Sequence, residues 1–388
     1  MSEVPVGRPG VTRDLNHRAV LERLADVGPA SRAELARELA ISPASVSRVV
    51  DTLLRGGLVR EGDRVANGIG RPQTLLHVNA EAGLVVGASI RSVSLRMHLA
   101  DLDGTVIAQT RVPRRQEGPR ALAEQLRDVV LELAHAHAPG RPIAAVVIGL
   151  SAVWDELGKQ VYAAPNLSLL EGVDARELFC DALSGHVLGR AVMIDNDINF
   201  AALGEEAAGA AHGVGDFFYL SLGSGVGGAA VVNGRIQRGR HGFAGEVGYL
   251  PVVADGQHAT LEDVVGRRAL ERLAERKGLL RENQDVFQHL EDIGGVDDVV
   301  GSHVSEVVAQ ALASIVTTLD PQLIVLGGGV GRYSDAWTSR IRERLQAYLP
   351  VVPDVVSTAI GREASLLGAV AAGRAMARDA LLSRELGP

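Results

Sequence analysis

One order of elements occurs twice along this chain, and that repetition constrains its fold more than any other feature. AGLVVGASIRSVSLRMHLADLDGTVIAQT (82–110) alternates apolar and polar residues in short runs broken at turn residues. The pattern predicts two or three antiparallel strands. A helix is expected from about Arg120 to His137, followed by a buried strand in IAAVVIGLSA (143–152). FFYLSLGSGVGGAAVVNGRIQRG (217–239) then repeats strand, turn, strand, turn, and after helical stretches comes the apolar strand LIVLGGG. Two halves built alike predict a duplicated α/β body with a cleft between its lobes. The chain has 388 residues, enough for such a body and a further domain.

That further domain is read at the N-terminus. NHRAVLERLA gives one short amphipathic helix. The second begins at Ser31, where Glu34 three residues on completes a capping box. The third begins at Ser42-Pro43. Serine accepts a free backbone N–H at the N-cap, and proline at N1 lacks only an N–H that no helical partner would take. Val46, Val49, Val50 and Leu53 supply its apolar face, and Gly56-Gly57 ends it. The short link AIS between helices two and three makes a helix-turn-helix. The outward residues of the third helix, Ala44, Ser45, Ser47, Arg48 and Thr52, are small or polar. They suit close approach to base edges and phosphates. Two strands follow around a Gly/Asn-rich turn, a wing whose Arg64 and Arg71 suit phosphate or the minor groove.

Residues 1–79 form this expected winged helix-turn-helix. They hold 11 arginines against nine acidic residues, a net +2, while residues 80–388 carry −10. A mildly basic head on an acidic body fits double-stranded DNA as a partner. A small helical protein–protein module is the competing reading. The lone cysteine, Cys180, excludes an internal disulfide and a multi-cysteine zinc site, which fits a reducing cytoplasm. No apolar run in residues 1–18 suggests a signal peptide, and PIAAVVIGLSAVW is too short to cross a membrane.

Within the body, GSGVGG (223–228) fits the spacing of a dinucleotide fingerprint, but a β-branched run ending in Asn233-Gly234 follows where a helix is required. It is therefore a glycine turn between strands. Such a turn either brings backbone N–H groups to a phosphate or is a plain hairpin. IDNDINFAALGE (194–205) places Asn196 and Asp197 where a strand passes into a helix. Asn166 follows a proline in AAPNL, and Glu246 lies between small residues in GFAGEVGY. Amide and carboxylate groups on separate loops match the several hydroxyls of a sugar.

These segments, with RGRHGFAGEVGY and DPQLIVLGGGVG, together resemble the ROK family of sugar kinases and repressors over residues 80–388. SRAELARELAISPASVSRVVDTLLRGGLVRE resembles the MarR-like winged helix of bacterial regulators. The whole chain thus resembles a ROK transcriptional regulator, the type that includes the xylose and N-acetylglucosamine repressors. The resemblance implies an actin- or hexokinase-like two-lobed body, a homodimer or homotetramer, and a sugar effector. It implies effector contacts for Asn166, Asn196, Asp197, Glu246 and Glu262, Asp197 matching the family's catalytic base. Ser42, Ala44, Ser45, Ser47, Arg48, Arg64 and Arg71 are the expected DNA contacts.

Two departures from the family pattern bear on chemistry. The kinases' Asp-x-Gly-Gly-Thr hairpin becomes GASIRSVSL, with Ser89 for the aspartate and Arg91-Ser92 for the glycines. A phosphate loses its close backbone approach and Mg²⁺ a carboxylate, so no kinase activity is expected. The family's zinc loop has lost its three cysteines, and Tyr249 replaces its histidine. His258 alone cannot hold zinc, so no metal and no cofactor is expected. The loop that Glu246 leads into, within residues 245–262, is expected to keep its shape by packing alone, with Tyr249 presenting a hydroxyl and a ring face to a sugar. The Pro-Gly turn of the family is also missing from GLSAVWDELG, which leaves open a regulator that needs no ligand.

Overall fold

The computed structural model describes residues 9–65, 73–254, 256–281, 284, 286, 289, 299–331 and 335–387. Its head comprises α1 (Pro9–Val27), α2 (Arg32–Glu38) and α3 (Pro43–Arg55), then β1 (Val59–Val65) paired antiparallel with β2 (Gln73–Val78). Both expected caps form. The Ser31 hydroxyl accepts from the Glu34 backbone while Glu34 accepts from the Ser31 N–H, and Ser42 caps α3 with Pro43 behind it. Val46, Val49, Val50 and Leu53 all turn inward, against Val20, Leu24 and Leu35. The wing's Arg71 lies outside the described residues.

The repetition read from sequence becomes two five-stranded sheets of the same topology. In the first lobe the order is β5-β4-β3-β6-β9, from β3 (Leu84–Ile90), β4 (Ser94–Ala100), β5 (Val106–Pro113), β6 (Ile143–Leu150) and β9 (Val192–Asn196). In the second it is β12-β11-β10-β15-β16, from β10 (Phe217–Leu222), β11 (Val226–Val232), β12 (Arg235–Ile236), β15 (Leu323–Gly327) and β16 (Asp354–Ser357). Each has a three-strand antiparallel meander, then two strands added in parallel beyond the first. Every residue of β3 and β6 is buried, as expected of central strands covered on both faces. Asn233 and Gly234 both have positive φ, the geometry of a tight hairpin between β11 and β12.

Helices α4 (Pro119–His137) and α5 (Ala175–Ala182) belong to the first lobe, with the small hairpin β7 (Val153–Asp155) and β8 (Gln160–Tyr162). α6 (Asp197–Ala208) follows β9 directly. The C-terminal helix (Ala364–Leu386) returns from the second lobe to cover β3 and β6 and reaches the head. The helical stretches expected before LIVLGGG include one long apolar helix. The helix Val299–Leu319 is apolar and long enough to cross a membrane, but its inward face is buried. Val304, Val308 and Leu312 place it in the core of the second lobe.

The segment expected to hold by packing alone is more ordered than that. β13 (Pro251–Ala254) and β14 (Gln257–Thr260) form an antiparallel hairpin, and α7 (Leu261–Val265) begins at once with its own capping box on Thr260 and Asp263. Backbone pairing, which apolar content alone does not announce, supplies the shape.

Candidate effector and DNA-binding sites

One segment brings two of the effector candidates together. Residues 238–246 leave β12 in the second lobe and bond to the first lobe at several points. Arg238 Nε lies 2.7 Å from Asp195 Oδ2, and His241 Nδ1 lies 3.1 Å from Asp155 Oδ2. Tyr162 donates its hydroxyl to the His241 carbonyl at 2.6 Å. The loop runs backbone against backbone at its glycines. A Cβ on Gly242 would stand 2.3 Å from the Trp154 carbonyl oxygen, and one on Gly245 would stand 2.2 Å from that of Gly228. Both have positive φ, so glycine is required on two counts.

This clamp brings Glu246 to Asn196. The Asn196 amide donates to Glu246 Oε1 at 3.0 Å, while its carbonyl oxygen caps α6 by accepting from the Ile198 N–H. The cap fixes the amide's orientation and leaves its NH₂ to the carboxylate. Burial, then the neighbouring charge of Asp197, pushes the Glu246 carboxyl up to about 7, against the hydrogen bond from Asn196. Asp197 is 6% exposed. Its pKa is raised by burial, with Arg91 and the Ser151 hydroxyl pulling the other way. Ser151 Oγ donates to Asp197 Oδ2 at 2.8 Å, and Arg91 Nη2 lies 3.5 Å from the same oxygen.

The Arg91 contact is the functional detail that sequence reading missed. This side chain, where the resemblance expects a glycine, pairs with Asp197 across the end of the sheet. Ser89, in the aspartate's position, is 2% exposed, and its hydroxyl finds no partner among the described residues. Asp195 and Arg238 were also missed. Asp195 accepts from Asn199 and from the Asn196 N–H as well as pairing with Arg238, so it holds the strand end on which Asn196 stands.

The other candidates sit differently. Glu262 accepts from the Val226 N–H at 2.5 Å and so braces the GSGVGG turn, and its charge helps raise the Glu246 pKa. Asn166 is exposed in its turn and joins the cluster through no hydrogen bond among the described residues. Tyr249 is exposed, its ring tilted against Phe243 at 5.5 Å. His258 is exposed on β14, and no described cluster of His, Cys, Asp and Glu has the makings of a metal site.

In the head, Ser42, Ala44, Arg48 and Arg64 are exposed, and Ser45 and Ser47 are half-buried. Arg48 Nη2 lies 3.4 Å from Ser45 Oγ, which also bonds Ser42 Oγ at 2.9 Å. Arg32 donates to the Ser47 carbonyl and pairs with Asp51 at 2.8 Å, locking α3 onto α2. The outer face of α3 is thus small and polar apart from Arg48.

Fold and site define a two-lobed, sugar-kinase-type body behind a winged helix-turn-helix. The ROK family profile matches residues 86–375 and the MarR family profile residues 10–66. The chain belongs to the ROK family, and its head places it among the transcriptional regulators of that family. It is 24% identical to the xylose repressor of Bacillus subtilis, over 92% of this chain and 94% of that one. It is 27% identical to a glucokinase of Streptomyces coelicolor, over 74% and 96%. A crystal structure of a ROK transcriptional regulator, a homologue of the E. coli MLC protein, superposes with a TM-score of 0.80 at 20% identity, covering 97% of this chain and 99% of that one. A ROK hexokinase from Thermus thermophilus gives 0.60 at 30% identity, over 74% and 96%.

Proposed function

We propose that this chain is a repressor of carbohydrate uptake and metabolism genes. It works in the cytoplasm as a homodimer or homotetramer and binds double-stranded operator DNA. A sugar, held by Asn196, Asp197 and Glu246 with Tyr249 and Glu262 at the margin and Asn166 on a neighbouring turn, shifts the lobes and the spacing of paired heads. Half-sites one helical turn apart tolerate little change in that spacing. The relatives named as xylose repressors span head and body together, which supports this reading.

One observation carries the choice of regulator over kinase. Arg91 pairs with Asp197, beside a Ser89 that offers Mg²⁺ no carboxylate. Phosphoryl transfer rests on positioning and charge neutralisation, and this site has an arginine paired with the candidate base instead. The glucokinase relatives and Asp197 itself support the alternative, a sugar kinase. Incubation with ATP, Mg²⁺ and a hexose panel is expected to yield no sugar phosphate; turnover would establish the kinase reading.

DNA binding is tested by gel shift on the gene's own upstream region. Arg48→Ala is expected to weaken binding about tenfold, and raised salt to weaken it steeply. Retention of full affinity by the variant would remove α3 as the reading helix. Release of the DNA by one sugar of a panel is the expected effector response, and release by none would leave a ligand-independent regulator.

A further inference from the structure

Aromatic side chains are scarce here, with six Phe, five Tyr and two Trp in 388 residues, and most of those described are core. Phe179, Phe200, Phe217, Phe218, Tyr219 and Trp337 are all essentially buried. Three rings are placed otherwise. Tyr162, Phe243 and Tyr249 form a continuous row, with centroids 6.3 Å apart for the first pair and 5.5 Å for the second. Phe243 is 43% exposed and Tyr249 58%. The remaining exposed ring among the described residues, Tyr348, is engaged through its hydroxyl by Glu306.

The row is continuous with the polar cluster. Glu246 lies midway between Phe243 and Tyr249 in sequence, and its charge is among those that raise the Tyr162 pKa, after burial and Asp155. Exposure is graded along this line, from Asp197 at 6% to Tyr249 at 58%. Polar groups able to hold hydroxyls are therefore deep, and the rings, Tyr162 stacked on Phe243 and Phe243 tilted against Tyr249, are shallow. Exposed aromatic faces are costly to leave bare, and their negative quadrupole attracts the C–H face of a pyranose. Fixed polar groups beside exposed rings are a common arrangement for holding a small polar molecule.

We propose that Tyr162, Phe243 and Tyr249 are a stacking shelf for a second sugar ring, so that the effector is a saccharide of at least two rings. The first ring meets Asn196 and Glu246, and the second lies outward on Phe243 and Tyr249. The inference rests on reading the cleft as a sugar site.

The test is calorimetry on the full-length protein with glucose, xylose and N-acetylglucosamine, and with cellobiose, maltose, xylobiose and chitobiose. At least one disaccharide is expected to bind ten times or more tighter than its own monosaccharide. Phe243→Ala and Tyr249→Ala are each expected to lower that affinity ratio at least fivefold, and Phe243→Trp to retain it. Circular dichroism of each variant checks folding, with the Trp variant as the fallback if alanine unfolds the loop. Equal affinity for disaccharide and monosaccharide, or a ratio unmoved by the alanine variants, overturns the shelf while leaving a sugar site standing. Binding of no saccharide overturns the sugar site and the shelf together. Light scattering on the same variants separates a dimer face: a fall in mass with the affinity ratio intact assigns the rings to self-association and overturns the proposal.

Discussion

Glu246 is the residue whose chemistry is most altered by its place in the fold. Its carboxyl titrates at about 7 because it is buried beside Asp197. A carboxyl whose pKa rises on folding favours the folded state while protonated. That advantage is full below the unfolded value near 4.5 and is lost as pH climbs through 7. Glu246→Gln keeps the shape and the acceptor for Asn196 but never ionises. The variant should therefore gain stability on the wild type as pH rises from 5 to 8, by on the order of 1–3 kcal/mol. Thermal melts of both proteins across that range give the comparison, and parallel pH curves would refute the assignment. The types of residue at this site were legible in the sequence, because Asn196, Asp197 and Glu246 stand in recognisable motifs. Their pairing was not. The Asn196–Glu246 and Arg91–Asp197 contacts join segments far apart in the chain, and only the closed fold brings them together. Head caps were legible for the opposite reason: Ser31 and Glu34 are three residues apart and their hydrogen bonds are local.

Among elements, the contact of α6 with the C-terminal helix is the tightest. A Cβ on Gly368 would stand 1.7 Å from the Phe200 carbonyl oxygen, and one on Gly204 would stand 2.1 Å from that of Ala364. The two backbones touch, so neither helix can slide without the other. α6 begins at the Asn196 cap, which ties this contact directly to the effector candidates. Gly368→Ala must push the helices apart, because backbone oxygen cannot rotate away as a side chain does. A cost of about 3 kcal/mol or more is expected, read as a lowered urea midpoint. An unchanged midpoint would mean that the helices separate freely. Periodicity had announced these elements only in part. Hairpins with local turn signals, such as Asn233-Gly234, are readable, whereas the run that forms β13–β14 is short and its alternation too weak to announce strands.

At the scale of the molecule, the sequence's repeated grammar reappears as two sheets of identical order, but how the head is mounted could not be read from local pattern. Its core continues into that of the first lobe. A cavity of about 1230 Å³ opens between α1, β9 and the C-terminal helix, with Asp195 and Arg238 in its wall. Beside that opening, two ion pairs join α1 to the helix: Arg18 to Asp379 at 3.0 Å, and Arg378 to Asp26 at 3.6 Å. Arg378 is 8% exposed, so its charge is held in a poorly hydrated place, whereas Asp26 is largely solvated. The C-terminal helix is thus fixed to α6 by glycines at one end and to α1 by charge at the other. If effector occupancy moves α6, this helix is the rigid body that carries the movement to the head. Arg378→Met keeps the length and apolar stem of the side chain, removes the buried cation and leaves Asp26 in water at little cost. Intrinsic operator affinity should stay within about threefold, since α3 and the wing are untouched, while the sugar concentration needed to release DNA should rise at least tenfold, as expected of a coupling free energy of typical size. Gel shifts with and without a saccharide titration measure both quantities. A variant released as readily as the wild type would show that the signal passes through the apolar contact of head and first lobe and not through this pair.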